Sequence, residues 1–214
     1  YQVNLNSVER LIQMIRSEVL VVFPNTNSGY GINQESSYCV ETSPLRPISL
    51  YGKLKVAAEE YILQNHSNSI TLRLATVFGV SHRHREELLV NNFVLKAFLD
   101  RRLDIYEGHF RRNFVHVLDV VDGFVFVMNN SERLRGNVFN LGQDSANMTK
   151  LELAQKIKIF FPDLMIEESL QYKDPDQRDY LVSNAKIHKA GFTPQISLEQ
   201  GIKELKAYYE QTYI

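Results

Sequence analysis

Tyr51 and Lys55 stand four residues apart in the stretch YGKLK, so on a helix their side chains share one face. A phenol with its ordinary pKa of about 10 is a poor base at neutral pH. A neighbouring ammonium favours the phenolate and suits such a pair to general acid–base work. Thr26 lies twenty-five residues earlier, in NTNSGYG (25–31). At the end of an adjacent strand, its hydroxyl can hold a reacting oxygen against the phenol. Together the three can deprotonate a hydroxyl while hydride leaves its carbon. Tyrosine and lysine at this spacing also occur on ordinary surface helices, so the elements around them have to distinguish the two readings.

Those elements alternate. Residues 2–16 place Val3, Leu11, Ile12, Met14 and Ile15 largely on one stripe, which predicts an amphipathic helix. The run at 19–23 is short, apolar and β-branched, as in a strand buried on both faces. Residues 25–49 carry Asn, Ser, Gly and two prolines, a loop of a length usually reserved for function. A helix over 50–64 and a strand over 70–78 follow, and strand–helix–strand alternation predicts a parallel α/β sheet. Beyond Gly79 a helix should follow the charged turn at 81–88, with short strands at 103–106 and 113–115, a helix over 118–129 and a strand over 137–141. TKLE (149–152) and SLEQ (197–200) are capping-box signals for two further helices, to about Phe160 and Tyr209.

With those motifs in order, the sequence resembles the extended short-chain dehydrogenase/reductase family, the NAD-dependent sugar-nucleotide epimerases and dehydratases. The resemblance rests on NTNSGYG, ETSPLRPISLYGKLKVAAEEYIL, ITLRLATVFG, RRNFVHVLDVVDG and DPDQRDYLVSNAKIHKAGF, and runs from Asn4 to the C-terminus. It implies a partial Rossmann-like parallel sheet with a smaller mixed α/β substrate-binding lobe. Residues 1–80 would belong to the sheet domain and 81–214 mostly to the lobe, with about 113–130 returning to the sheet. It implies NAD as cofactor, a nucleoside-diphosphate sugar as substrate with C4 as the oxidised carbon, and a homodimer formed through the helices at 2–16 and 50–64. By position, Tyr51 matches the acid–base, Lys55 the lysine that tunes it and binds the nicotinamide ribose, and Thr26 the hydroxyl that orients substrate. Asn4 and Ala75 fall beside the cofactor. Asn92 matches a substrate-binding asparagine or is a surface amide. Arg112 and Arg178 match arginines that hold the diphosphate, a task suited to bidentate guanidinium. Arg178 also reads as a salt-bridge partner of Asp174 or Asp176.

Several positions depart from the family pattern. Dehydratases carry an acidic pair after the threonine, where this chain has Asn27 and Ser28, so elimination is disfavoured. Thr76 replaces an asparagine that meets substrate. Arg83 and Arg85 read as a solvated turn or a phosphate contact, and His116 as a core residue. Cys39 is either a second acid–base or an ordinary loop cysteine. No glycine-rich G-x-x-G-x-x-G turn occurs in these residues, so weak NAD binding is expected of them, and the chain, opening on Tyr1, is expected to be a fragment or a truncated relative. The competing class is a non-catalytic sugar-nucleotide-binding or regulatory module on the same fold.

A net charge of −1 over 214 residues offers no footprint for nucleic acid or an anionic membrane. No apolar run approaches the ~20 residues of a membrane span. One cysteine excludes an internal disulfide and fits a reducing compartment, so the cytoplasm is expected.

Overall fold

The computed structural model describes residues 2–33, 37–169 and 178–213. A π-helical turn, Gln2–Asn6, leads into α1 (Ser7–Met14), followed by β1 (Val21–Thr26), α2 (Leu50–Asn65), β2 (Ser69–Leu74) and β3 (Thr76–Phe78). Next come α3 (Leu89–Leu99), β4 (Arg102–Tyr106), β5 (Arg111–His116), α4 (Val117–Asn129), α5 (Ser131–Leu134) and β6 (Asn137–Leu141). The chain ends with β7 (Asn147–Thr149), α6 (Lys150–Lys158), β8 (Met165–Ser169), α7 (Ala185–Lys189) and α8 (Leu198–Tyr213). Among the described residues no helix is long and apolar enough to cross a membrane.

The central sheet is parallel, in the order β1-β2-β6, as the alternation predicts. β1 starts two residues later than its apolar run and continues through Pro24 to Thr26. Among the described residues its strand partner is β2, at Pro24 through register with Leu72. Along it Phe23 and Asn25 are buried while Pro24 is exposed, so burial on both faces is not realised at Pro24.

The single strand expected over 70–78 is two strands in two sheets. β2 stays beside β1, whereas β3 pairs with β5 in the sheet β3-β5-β7. The division falls at Ala75, whose N–H donates to Leu141 O at 2.9 Å. Gly142 permits the crossing, because a Cβ there would lie 1.7 Å from Asn113 Oδ1 and 2.9 Å from Ala75 Cβ. Just after β2, the backbone thus turns out of the sheet.

The first helix also differs from its reading. Leu5, Val8, Ile12 and Ile15 face the core with Phe23, Ala58 and Ile62, a spacing of one helical stripe. Val3, Leu11 and Met14 form no part of it and are 80%, 53% and 83% exposed. The two capping signals are realised. Thr149 and Glu152 form a reciprocal box at α6, and Ser197 and Gln200 do the same before α8.

Candidate active site

β1 and β2 run parallel and end together, with Thr26 opposite Leu74. Their carboxyl ends are where open α/β sheets place ligands. α2 is brought to this edge by Ser49, whose Oγ accepts the Gly52 N–H at 3.1 Å, a hydroxyl N-cap. The helix then starts at Leu50, putting Tyr51 in its first turn and Lys55 one turn on.

A cavity of about 520 Å³ opens at this edge. Asn25, Thr26, Ser28, Tyr51, Ala75, Thr76 and Arg178 line it, with Leu74, Val77 and Leu88 as an aliphatic wall and Arg85 and Tyr180 also on its lining. Thr26 Oγ1 and Ser28 Oγ lie 2.9 Å apart, and Thr26 Oγ1 accepts the Ser28 N–H at 3.1 Å. Arg178 Nη1 donates to Ser28 Oγ. Arg178 reaches this position because the segment around it is stitched to the 25–49 loop: Ile32 bridges Asp179 and Cys39 bridges Val182. Asp174 and Asp176, its alternative partners by sequence, lie outside the described residues.

Lys55 lies behind this wall. Its Nζ donates to Pro24 O and sits 3.9 Å from the centre of the Phe23 ring. Burial depresses its pKa to about 8, against the pull of Glu59, which favours the ammonium. Burial pushes the Tyr51 phenol above its usual value, and the Arg178 and Arg85 guanidiniums draw it back. Two guanidiniums from outside α2 thus favour the phenolate. Arg83 and Arg85 are both exposed, as a solvated turn requires; Arg85 pairs with Glu87 at 2.7 Å and also borders the cavity.

Thr26, Tyr51, Ala75, Thr76 and Arg178 therefore converge, with Lys55 adjacent. Asn4, Asn92 and Arg112 do not line the cavity. Asn4 is in the turn before α1. Asn92 lies on α3 with its N–H bonded to Leu88 O at 2.7 Å, and Leu88, the residue that caps this helix, lines the cavity instead. Arg112 is buried, with Nη1 donating to Arg111 O at 2.9 Å and its guanidinium 5.8 Å from the centre of the Tyr180 ring. The neighbouring Arg111 is the residue that grips Asp179, through Nε and Nη2 at 2.9 Å each. Cys39 is buried on a separate small cavity, its thiol pKa raised by burial. His116 is a core residue, 1% exposed and 2.6 Å from Glu204.

Sequence reading missed Ser28 as the partner of Thr26, and Asn25, Glu59 and Arg73 as the shell behind it. Glu59 had a signal: it continues the four-residue spacing of Tyr51 and Lys55.

The model of the NAD dependent epimerase/dehydratase family matches residues 1–142. The dTDP-D-glucose 4,6-dehydratase of Mus musculus is 27% identical over 203 residues, 90% of this chain and 56% of its own length. UDP-glucuronic acid decarboxylase 3 of Arabidopsis thaliana is 29% identical over 178 residues, 79% of this chain and 50% of its own. The chain thus spans about half the length of these curated relatives. Among solved structures, the dTDP-glucose 4,6-dehydratase of Bacillus anthracis in complex with NAD superposes with a TM-score of 0.85 at 23% identity, covering 99% of this chain and 68% of that one. The UDP-glucuronic acid 4-epimerase of Bacillus cereus, in complex with UDP-glucuronic acid and NAD, gives 0.83 at 21% identity over 98% and 68%. At these identities the superpositions establish a shared Rossmann-type α/β fold.

Proposed function

The chain belongs to the NAD dependent epimerase/dehydratase family, an NAD-dependent family of sugar-nucleotide enzymes, and on that premise we propose that its cavity serves oxidation and epimerisation at C4 of a nucleoside-diphosphate sugar. The observation that carries this reading is the meeting of Thr26 and Tyr51 on one cavity at the carboxyl edge of a parallel sheet, with Lys55 buried beside it. Tyr51 takes the proton of the C4 hydroxyl and returns it at the end of the cycle. Thr26, bonded to Ser28, orients that hydroxyl. Arg178 and Arg85 receive the anionic part of the substrate.

The donor set suits a dinucleotide's nicotinamide half. The aliphatic wall of Leu74, Ala75 and Val77 offers a flat ring an apolar face, and the Lys55 ammonium has three donors, one of them spent on Pro24 O. Tyr51, Lys55 and Ala75 would hold that half. NAD, when bound, supplies the hydride acceptor. The test is to incubate the full-length protein with NAD and UDP-, GDP- and dTDP-sugars. A 4-keto sugar or a C4 epimer is the expected product, and no turnover of any of them would end the proposal.

Dehydration is not expected. No Asp or Glu among the described residues lines the cavity, Asn27 and Ser28 occupy the positions after Thr26, and the Ser28 hydroxyl is held by Thr26 and Arg178. Elimination needs a carboxylic acid that hands a proton to the departing hydroxyl, and among the described residues the cavity lining has none. Mass spectrometry should find product that keeps all its oxygens; loss of water would count against this assignment.

A homodimer is expected through α1 and α2. Val3, Leu11 and Met14 are left exposed beside the core-facing stripe of α1, and α2 adds Leu50 at 56% exposure. Self-complementary two-fold contacts would cover them. Sedimentation at micromolar concentration should give a dimer, and Leu11→Asp with Met14→Asp a monomer. A wild-type monomer under those conditions would refute the contact.

A further inference from the structure

Glu59 stands one turn beyond Lys55 on α2 and is 2% exposed. Its carboxylate accepts three hydrogen bonds. Oε1 takes Arg73 Nη2 at 2.6 Å, and Oε2 takes Arg73 Nε at 3.2 Å and Asn25 Nδ2 at 2.6 Å. Asn25 and Arg73 are register partners on β1 and β2, so two neighbouring strands are tied to one helix through a single side chain. Asn25 carries the tie onward, its Oδ1 accepting the main-chain N–H of Thr26 at 2.8 Å. Arg73 carries it the other way, with Nη1 donating to Tyr30 OH and to Glu41 O, each at 3.0 Å. The turn between Thr26 and Tyr30 is therefore held at both ends by the pair of Glu59 and Arg73.

We propose that Glu59 is a positioning residue of this site: through Asn25 it fixes the main chain that presents Thr26, and one helical turn along α2 it places a carboxylate on the helix that carries Lys55. It does not line the cavity and acts only through these neighbours. What the site does rests on the function proposed above; what Glu59 does to Lys55 and Thr26 does not.

A carboxylate is needed here for two reasons. Arg73 is 5% exposed, and a buried guanidinium without a counter-ion is strongly unfavourable. Lys55 faces the Phe23 ring and the Pro24 carbonyl from β1, with Tyr51 and Glu59 on its own helix. Of these, Glu59 is the carboxylate that favours the ammonium against burial, beside the Pro24 carbonyl and the Phe23 ring. An uncharged side chain at position 59 lets the Lys55 pKa fall further, so that the amine sheds its proton near neutral pH.

Glu59→Gln tests this in the full-length chain, with the Lys55 titration followed by NMR of labelled lysine. The midpoint should fall by roughly one pH unit; an unchanged midpoint would overturn the proposal. Should the unpaired Arg73 keep that variant from folding, Glu59→Asp keeps the charge and shortens the reach. It should leave the Lys55 midpoint in place and lower NAD-linked turnover roughly tenfold to a hundredfold; wild-type turnover would overturn the positioning role. Asn25→Ala isolates the arm to Thr26, with turnover lowered over the same range and the Lys55 midpoint unmoved. Wild-type turnover in that variant would remove the arm. If the wild-type protein itself turns over no nucleotide sugar, the proposed function fails separately, and the Lys55 midpoint in Glu59→Gln still decides the role of Glu59.

Discussion

Tyr51→Phe is expected to lower turnover by roughly a hundredfold to ten-thousandfold, the range over which a positioned acid–base acts, while leaving the fold intact. The second half follows from the structure. Tyr51 is 49% exposed, and among the described residues its hydroxyl makes no hydrogen bond, so the substitution removes a titrating oxygen and no structural contact. Surface changes of this kind shift stability by about 0.5 kcal/mol or less. The pH dependence gives an independent check. The phenol sits above its ordinary pKa because burial outweighs the pull of Arg178 and Arg85. Its proton-accepting form therefore grows as pH rises, and oxidation should accelerate on the alkaline side. Removing a cation favours the neutral phenol, so Arg178→Ala should move that limb to higher pH. The residual rate of Tyr51→Phe should lack the limb altogether. A near-normal rate in Tyr51→Phe, measured as product formed per enzyme, would exclude the phenol as the acid–base.

How much of this site was legible in the sequence depends on whether the signal was local. The Ser49 cap, the helix it opens and the Tyr51–Lys55 face are all encoded within seventeen residues, so spacing alone located them. The parallel pairing of β1 and β2 followed from their alternation with α2. The break at Ala75 had no such marker. No turn residue precedes it, and its cause is the approach of Leu141 and Gly142, some sixty-six residues away. Arg85 faces solvent, as its charged neighbours suggested, and pairs with Glu87; that it also borders the cavity is set by the fold. Arg112 shows the opposite placement. An arginine in the expected motif is buried under Tyr180 while Arg178, from a distant segment, reaches Ser28. Glu59 was readable in part. Its spacing was visible, but its meaning depends on strand register, which sets Asn25 beside Arg73. β8 has a mostly exposed, charged sequence, MIEES, and is a strand because β4 offers it a parallel edge.

Lys55→Met is expected to move catalysis and stability in opposite directions. Losing the ammonium removes the group assigned to the nicotinamide ribose and should reduce NAD-linked turnover by about a hundredfold or more. Stability should rise. Lys55 is 9% exposed, and a pKa depressed from 10.5 to about 8 means that holding the buried charge at neutral pH opposes folding by roughly 3 kcal/mol. Methionine has a similar reach and no charge. Against this gain stands the lost bond to Pro24 O, worth about 1 kcal/mol. The net increase of roughly 2 kcal/mol at pH 7 corresponds to a melting temperature about 5 °C higher for a chain of this size. The pH profile distinguishes this cause from better packing. Below pH 8 both folded and unfolded wild-type chains carry the proton, and the full penalty applies. Between pH 8 and 10.5 the folded chain has released it while the unfolded chain still binds it, so wild-type stability rises with pH. The gap between variant and wild type should therefore be widest at and below neutral pH and close as pH approaches 10.5. Urea unfolding at several pH values measures it directly. A variant less stable than wild type at pH 7, or a gap that does not change with pH, would mean that Lys55 is held as a structural cation and that its burial is not a strain kept for function.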